Sequence, residues 1–333
     1  GLRIIENPGR VFRGPPSLST PGLTNSRLDI LTTESMKRMI LTLFALRRSL
    51  PSPRLTRHWF CSTYSCSAVD KKVATMKEDC REIIKAAIRA VDPKTAIHQH
   101  VSRSNSLLKI KDGQTFDLDS YSEVILVSFG KASAAMAAAV LEVIGDDTKT
   151  RGLVICKDGY VTDHELLSSR NIQVYEASHP LPDERGVRAS HKLLDLVNTR
   201  PTDSLAVACI SGGGSSLFCT PAHNLTLDDM QATNLALLQS GWGIHEVNTV
   251  RKQLELGKGG GLSTDIAFIL SDVLGDPLHL IACGPTVTAS TTSEDAWKLI
   301  QERWPSHLEF PAKAWQVLQK PSKKAEFNKC RNY

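Results

Sequence analysis

Leu205–Ile210 is a run of six consecutive apolar residues, and it ends on Ser211-Gly212-Gly213-Gly214-Ser215-Ser216. A strand apolar at every position has to be buried on both of its faces, a condition met by a parallel sheet with helices on either side. The same pattern recurs along the chain: Val124–Phe129 runs into Gly130-Lys131, Ile266–Leu270 runs into Ser271-Asp272, and Gly152–Cys156 and Ile172–Glu176 are shorter runs of the same kind. Between them Ala132–Ile144, Gly186–Val197 and Leu227–Gln239 read as helices, the last with Asp228 and Asp229 in its first turn, where the helix dipole favours them. Strands alternating with helices predict an α/β fold with a doubly wound, mostly parallel sheet. In such sheets ligands sit beyond the carboxyl ends of the strands, so the polar and glycine-rich turns that close these runs are the first place to look for chemistry.

The fold class is thus Rossmann-like, with helices on both faces, and 333 residues leave room for a second domain. The net charge of +5 is unevenly placed: residues 36–69 carry six Lys or Arg and no acid, residues 1–35 contribute +1, and the rest of the chain is at −2. The basic balance therefore belongs to the N-terminal segment and gives no support to nucleic-acid binding. Residues 1–35 have no periodicity and read as disordered, and as a stretch upstream of a start at Met36. Residues 36–69, rich in Arg and Ser and free of acids, have the composition of a mitochondrial transit peptide, which predicts a mitochondrial protein if Met36 is the start and a cytoplasmic one otherwise. Met76–Val91 is the first amphipathic helix. None of the eight cysteines stands in a C-x-x-C or zinc-type spacing, and no apolar run approaches the ~20 residues of a membrane helix.

Successive backbone N–H groups in a glycine-rich turn form a concavity for phosphate or carboxylate, and glycine lets the ligand approach without a Cβ in the way. Ser211, Gly212, Gly213, Gly214, Ser215 and Ser216 are candidates for such a cradle. Cations on the same rim would offset phosphate charge: Lys131 after one strand, Arg251 and Lys252 with Asn248 further on, and Lys258 before Gly259 and Gly260. Asp272 and Asp276 could hold Mg²⁺ or orient an attacking hydroxyl, and Gly284 and Thr286 complete the set of polar turns. Each has a plainer alternative: a solvated Lys131, an exposed helix face at Arg251-Lys252, an N-cap at Asp272, a structural loop residue at His179. The common nucleotide and hydrolase motifs are missing. Ile125 stands where a P-loop needs its first Gly, no G-x-G-x-x-G precedes an acidic residue, and Leu217 takes the place of the last Gly of a nucleophile elbow.

The ordered segments "FGKASAAMAAAV", "ASHPLPDERG", "ISGGGSSLFCTPA", "IHEVNTVRKQLELGKGGGL" and "ILSDVLGDPLHLIACGPTV" resemble the glycerate 2-kinase family whose C-terminal part is the MOFRL domain, the animal glycerate kinases above all. The resemblance spans about 78–310 and implies a glycerate kinase N-terminal α/β domain over 76–310. It implies transfer of the ATP γ-phosphoryl group to D-glycerate, giving 2-phosphoglycerate, with a divalent cation. Lys131, Arg251 and Asp272 would then be catalytic, Ser211–Ser216, Asn248, Lys252, Lys258–Gly260, Gly284 and Thr286 would bind substrate or phosphate, and Asp272 and Asp276 would bind metal. Cys283 stands where the family usually has Ser, and only three residues separate Leu262 from the run at Ile266, where the family has a helix. Residues 311–333 read as a frayed tail, and the family's second domain lies beyond the end of the sequence. The alternative reading is a catalytically inactive isoform that keeps ligand binding or subunit pairing; a homo-oligomer is left open.

Overall fold

The computed structural model describes residues 2–6, 66–111, 113–222 and 224–319. Two compact units divide the chain, one made of residues 1–10 with 88–333 and the other of 11–87. Of the second unit only the helix α1 (Cys66–Arg89), which ends two residues into the first, is described. It begins ten residues before the predicted Met76 and carries i,i+3 ion pairs between Glu78 and Arg81 and between Glu82 and Lys85. The transit-peptide reading of 36–69 lies outside the described residues except at Cys66–Val69, which are helical.

The first unit is built on a six-stranded sheet. Its strands are β1 (Leu2–Glu6), β5 (Val124–Phe129), β6 (Thr150–Lys157), β7 (Ile172–Ala177), β8 (Leu205–Ser211) and β9 (Ile266–Leu270), in the order β1-β9-β8-β5-β6-β7. The five strands β5 to β9 are mutually parallel, and β1 pairs antiparallel with β9, Leu2 opposite Leu270. This corrects the expectation for the leader: Leu2–Glu6 are an edge strand, formed because alternate residues Leu2 and Ile4 meet one apolar cluster and Ile5 the other. A second, three-stranded antiparallel sheet, missed in the sequence, comprises β2 (Val101–Ser104), β3 (Leu107–Ile110) and β4 (Thr115–Asp117), and follows α2 (Pro93–His100).

Period two decides which residue faces which layer. Val124, Leu126, Leu205, Val207 and Cys209 pack with α3 (Ser133–Ile144), whose Ala134 and Ala137 let it sit close to the sheet. Ile125, Val127, Ala206, Ala208 and Ile210 pack with α5 (Glu184–Asn198) through Ala189, Leu193 and Val197. The short α4 (His164–Ser169) leads into β7. Between β8 and β9 come α6 (Gly214–Leu217), α7 (Leu227–Gln239) and α8 (Ile244–Leu254). They carry the crossover, so the short link after Leu262 needs no helix of its own. It is tied down by Leu262 N–H to Pro285 O and Asp265 N–H to Ala206 O, both 2.9 Å.

A third apolar cluster joins α7 and α8 to α9 (Ser293–Arg303) and α10 (Ala312–Leu318) through Met230, Val250, Ile300 and Leu318. Trp297 and Trp315 meet edge to face at 4.5 Å. The tail expectation is corrected here: residues up to 318 are held by buried Ala314 and Leu318, and 320–333 lie outside the described residues. Among the described residues no helix is long and apolar enough to cross a membrane.

Candidate functional site

Chain order and spatial order part company between β5 and β8. From β5 the chain moves outward through β6 to β7, then returns to lay β8 on the other side of β5. The connections leaving β5 and β8 therefore diverge, and an open α/β sheet forms its ligand crevice at such a switch point. Gly130-Lys131 and Ser211–Ser216, the two turns singled out in the sequence, are the two lips of that crevice. Lys131 N–H donates to Gly212 O at 2.9 Å, and Ala132 N–H donates to Ser211 Oγ at 3.0 Å. A side chain at Gly130, which has φ +124°, would meet the Ser211 carbonyl at 2.6 Å, so glycine is required there. Ser211→Ala would leave the Ala132 N–H unpaired in a half-buried site; we expect a loss of about 1–2 kcal/mol, read from urea unfolding, and an unchanged midpoint would refute this role for the hydroxyl.

The loop's glycines are where the neighbouring groups come closest. A Cβ on Gly212 would strike the carboxylate of Asp272, which follows β9. On Gly213, with φ +83°, it would lie 2.9 Å from the His179 ring and 3.3 Å from Lys131 Cε. On Gly214 it would lie 2.9 Å from Ala282 Cβ. Asp272, His179 and Lys131 thus surround two successive glycines with no room for a side chain between them. Lys131 and Asp272 are exposed, and neither side chain makes a hydrogen bond or ion pair among the described residues.

On the other side of the loop a chain of polar contacts runs into the protein. The Ser215 hydroxyl is 3.5 Å from Cys283 Sγ, and the Cys283 thiol donates to Asn248 Oδ1 at 3.2 Å. The Cys283 thiol therefore links the Ser215 hydroxyl to the Asn248 amide. Ala282, Cys283 and Gly284 all have positive φ (49°, 63° and 61°), a costly backbone for the first two. Gly259 N–H donates to Cys283 O and Gly260 N–H to Gly284 O, at 3.1 and 2.9 Å, so the Lys258–Gly260 turn buttresses this strained segment.

Not every predicted residue faces the crevice. Lys258 is fully buried, paired with Glu255, and donates to Ser215 O at 2.7 Å. Burial opposes its charge, but Glu255 prevails and its pKa is raised. It supports the loop from behind instead of presenting its amine to a ligand, because Glu255 three residues earlier on the turn holds it. Lys252 is buried on α8, its pKa lowered by burial. Arg251 Nε donates to Asn234 Oδ1 at 2.7 Å. Asp276 is committed to Arg3 of the edge strand at 2.9 Å, and the Ser271 hydroxyl, against a burial cost, and then Arg3 hold its pKa low. Thr286 Oγ1 is buried with no hydrogen-bond partner among the described residues. No group of three or more His, Cys, Asp or Glu able to hold a metal ion occurs among the described residues.

His179 has no local signal for a role at the site. It joins the crevice because β7 lies two strands from β5 in the sheet and the His179–Leu181 loop folds back over Gly213, an arrangement that only tertiary structure supplies. Its peptide bond to Pro180 is cis.

A domain family described as "Domain of unknown function (DUF4147)" matches residues 79–319. The chain belongs to the DUF4147 family. A D-glycerate 2-kinase from Thermotoga maritima is 38% identical over 234 residues, covering 68% of this chain and 51% of the relative. The glycerate kinase of Homo sapiens is 34% identical over 242 residues, covering 68% and 46%. A relative from Agrobacterium vitis, 41% identical over 226 residues (66% and 47%), bears a name that assigns it, provisionally, to hydroxypyruvate reduction. Among solved structures, a Thermotoga maritima glycerate kinase superposes with a TM-score of 0.59 at 33% identity, over 75% of this chain and 56% of that one. A Pyrococcus horikoshii protein superposes with a TM-score of 0.62 at 32% identity and the same coverage. This DUF4147 chain spans about half the length of the curated relatives it matches.

Proposed function

We propose that this chain carries the phosphate- and acceptor-binding wall of an ATP-dependent glycerate kinase, which phosphorylates D-glycerate to 2-phosphoglycerate. The observation that carries the reading is the juxtaposition of Lys131, the Gly212–Gly214 backbone and Asp272 at the switch point of the sheet. The family relationship to chains named glycerate kinase supports it. The loop amides would cradle phosphate oxygens, and Lys131 would offset the charge spread over the transferring group. The glycerate hydroxyl oxygen forms a bond to the γ-phosphorus while the bond from that phosphorus to the β–γ bridging oxygen breaks. The hydroxyl proton passes to solvent, and ADP departs with the electron pair of the broken bond. Phosphoryl transfer demands little covalent work of a protein, so positioning and charge are the main contributions.

A divalent cation travels with nucleotide phosphates and is held by one or two carboxylates together with them. Asp272, exposed beside Gly212 and unpaired among the described residues, fits that requirement, whereas Asp276 is already committed to Arg3. Asp272 would hold Mg²⁺, which neutralises charge on the phosphates when bound.

The test is turnover of D-glycerate with Mg-ATP by the purified chain, product position read by ³¹P NMR. Appearance of 2-phosphoglycerate supports the reading. Binding of ATP without product would leave the wall in place and favour the inactive-isoform alternative. Binding of NADH in place of ATP would overturn the kinase reading.

A further inference from the structure

The geometry points to His179 as a proton-linked ligand of the anion held by the Gly212–Gly214 loop, binding a phosphate-type dianion more tightly when its imidazole is protonated. This goes further than the kinase reading and rests on its assignment of the loop as an anion cradle. The Cδ2–Nε2 edge of His179 stands 2.9 Å from where a Cβ on Gly213 would be, and Lys131 Cε flanks the same point at 3.3 Å. An anion seated on the Gly213 amide would therefore meet both side chains at once. Glycine at 213, with φ +83°, is what lets the ring come this close to the backbone.

The groups facing His179 give the sign of the effect. Lys131 approaches from the end of β5 and Lys157 from the end of β6. The loop after β8 brings no charge, and α7 brings the neutral Gln231, whose amide donates to Pro182 O at 2.9 Å. Asp272 lies across Gly212. Partial burial first, then the two lysines, lower the His179 pKa from the usual imidazole value, so the free site favours the neutral ring. A dianion between His179 and Lys131 cancels the lysines' repulsion and favours the imidazolium, raising the pKa. By linkage the anion then binds more tightly as pH falls through the interval between the two pKa values. A histidine with a purely structural place in the loop would have no such coupling.

Sulfate is the probe, since it stays a dianion across the range in which histidine titrates. Titration calorimetry of the whole chain between pH 8 and pH 5.5 should show sulfate affinity rising by about tenfold, the equivalent of a one-unit rise in the histidine pKa. His179→Gln should still bind sulfate with most of that pH dependence gone. In the wild-type protein, the His179 ring resonance, assigned by its loss in the variant, should titrate at higher pH once sulfate is present. Sulfate binding with an unmoved His179 titration, or a variant that keeps the full pH dependence, overturns the proposal while leaving the anion loop standing. A wild-type protein that binds no sulfate overturns the loop assignment and this proposal together.

Discussion

Lys258→Met is expected to lower the free energy of unfolding by about 3–5 kcal/mol, the range for removing one partner of a buried ion pair. Lys258 and Glu255 are 2% and 1% exposed, so neither can turn to solvent when its partner goes. Glu255 also accepts the Thr220 N–H at 3.1 Å, and the Thr220 hydroxyl in turn accepts the Gly257 N–H at 2.8 Å. The pair therefore knits the segment leaving Phe218 to the turn that follows α8, while Lys258 holds Ser215 O at the far end of the anion loop. Exposed pairs such as Lys298–Glu294 contribute far less, because solvent screens them, so burial is what sets the size of the effect. Urea unfolding followed by circular dichroism measures it. The double variant Lys258→Met, Glu255→Gln should recover part of the loss, since it removes the unpaired charge. A single variant within about 1 kcal/mol of wild type would show that the pair is not buried in solution.

The same lysine illustrates what the sequence could and could not disclose. Lys258 sits before three glycines, a setting that reads as a phosphate contact, and the sign against it is the acid at i−3, Glu255, which only burial converts from a surface pair to an internal one. The sheet was legible because parallel strands such as Leu205–Ile210 must be apolar at every position, and the helices because Ala132–Ile144 and Gly186–Val197 carry their own periodicity. The crevice was legible once those strands were aligned, since polar turns at their carboxyl ends fall on one edge. Leu2–Glu6 was not legible, because its pairing partner Ile266–Leu270 lies more than 250 residues away and a lone five-residue edge strand has no local signature. The small sheet β2-β3-β4 escaped for a related reason: its strands are only three or four residues long, and their buried side chains Val101, Leu108, Ile110 and Phe116 are too few to set a period. His179 and Cys283 became site residues through loops meeting from different strands, information that no window of sequence holds.

Lys131→Met should have the largest effect on activity, and almost none on stability. Its amine is exposed and unpaired among the described residues, so its removal leaves no buried group unsatisfied and unfolding should change by less than about 0.5 kcal/mol. Its Cε lies 3.3 Å from where a Cβ on Gly213 would be, beside the backbone of the anion loop. Preorganised charges of this kind, aimed at charge that develops during the reaction, contribute factors of roughly 10²–10³ in kcat when removed singly. On the kinase reading proposed above, we therefore expect kcat for D-glycerate phosphorylation to fall by about that factor, with KM for glycerate changed far less, because negative charge moves onto the β–γ bridging oxygen as its bond to the γ-phosphorus breaks, so that a nearby cation is held more strongly in the transition state than in the ground state. The neighbouring Lys157 is the internal comparison. Its amine lies 4.8 Å over the Tyr160 ring, and unlike Lys131 it is not among the side chains closest to the loop glycines, so Lys157→Met should alter kcat by no more than about threefold if position and not charge number matters. Equal losses in the two variants would mean that the crevice needs only a positive field; a Lys131→Met protein with undiminished kcat would remove this residue, and with it the lip of the crevice formed by the β5 turn, from the chemistry.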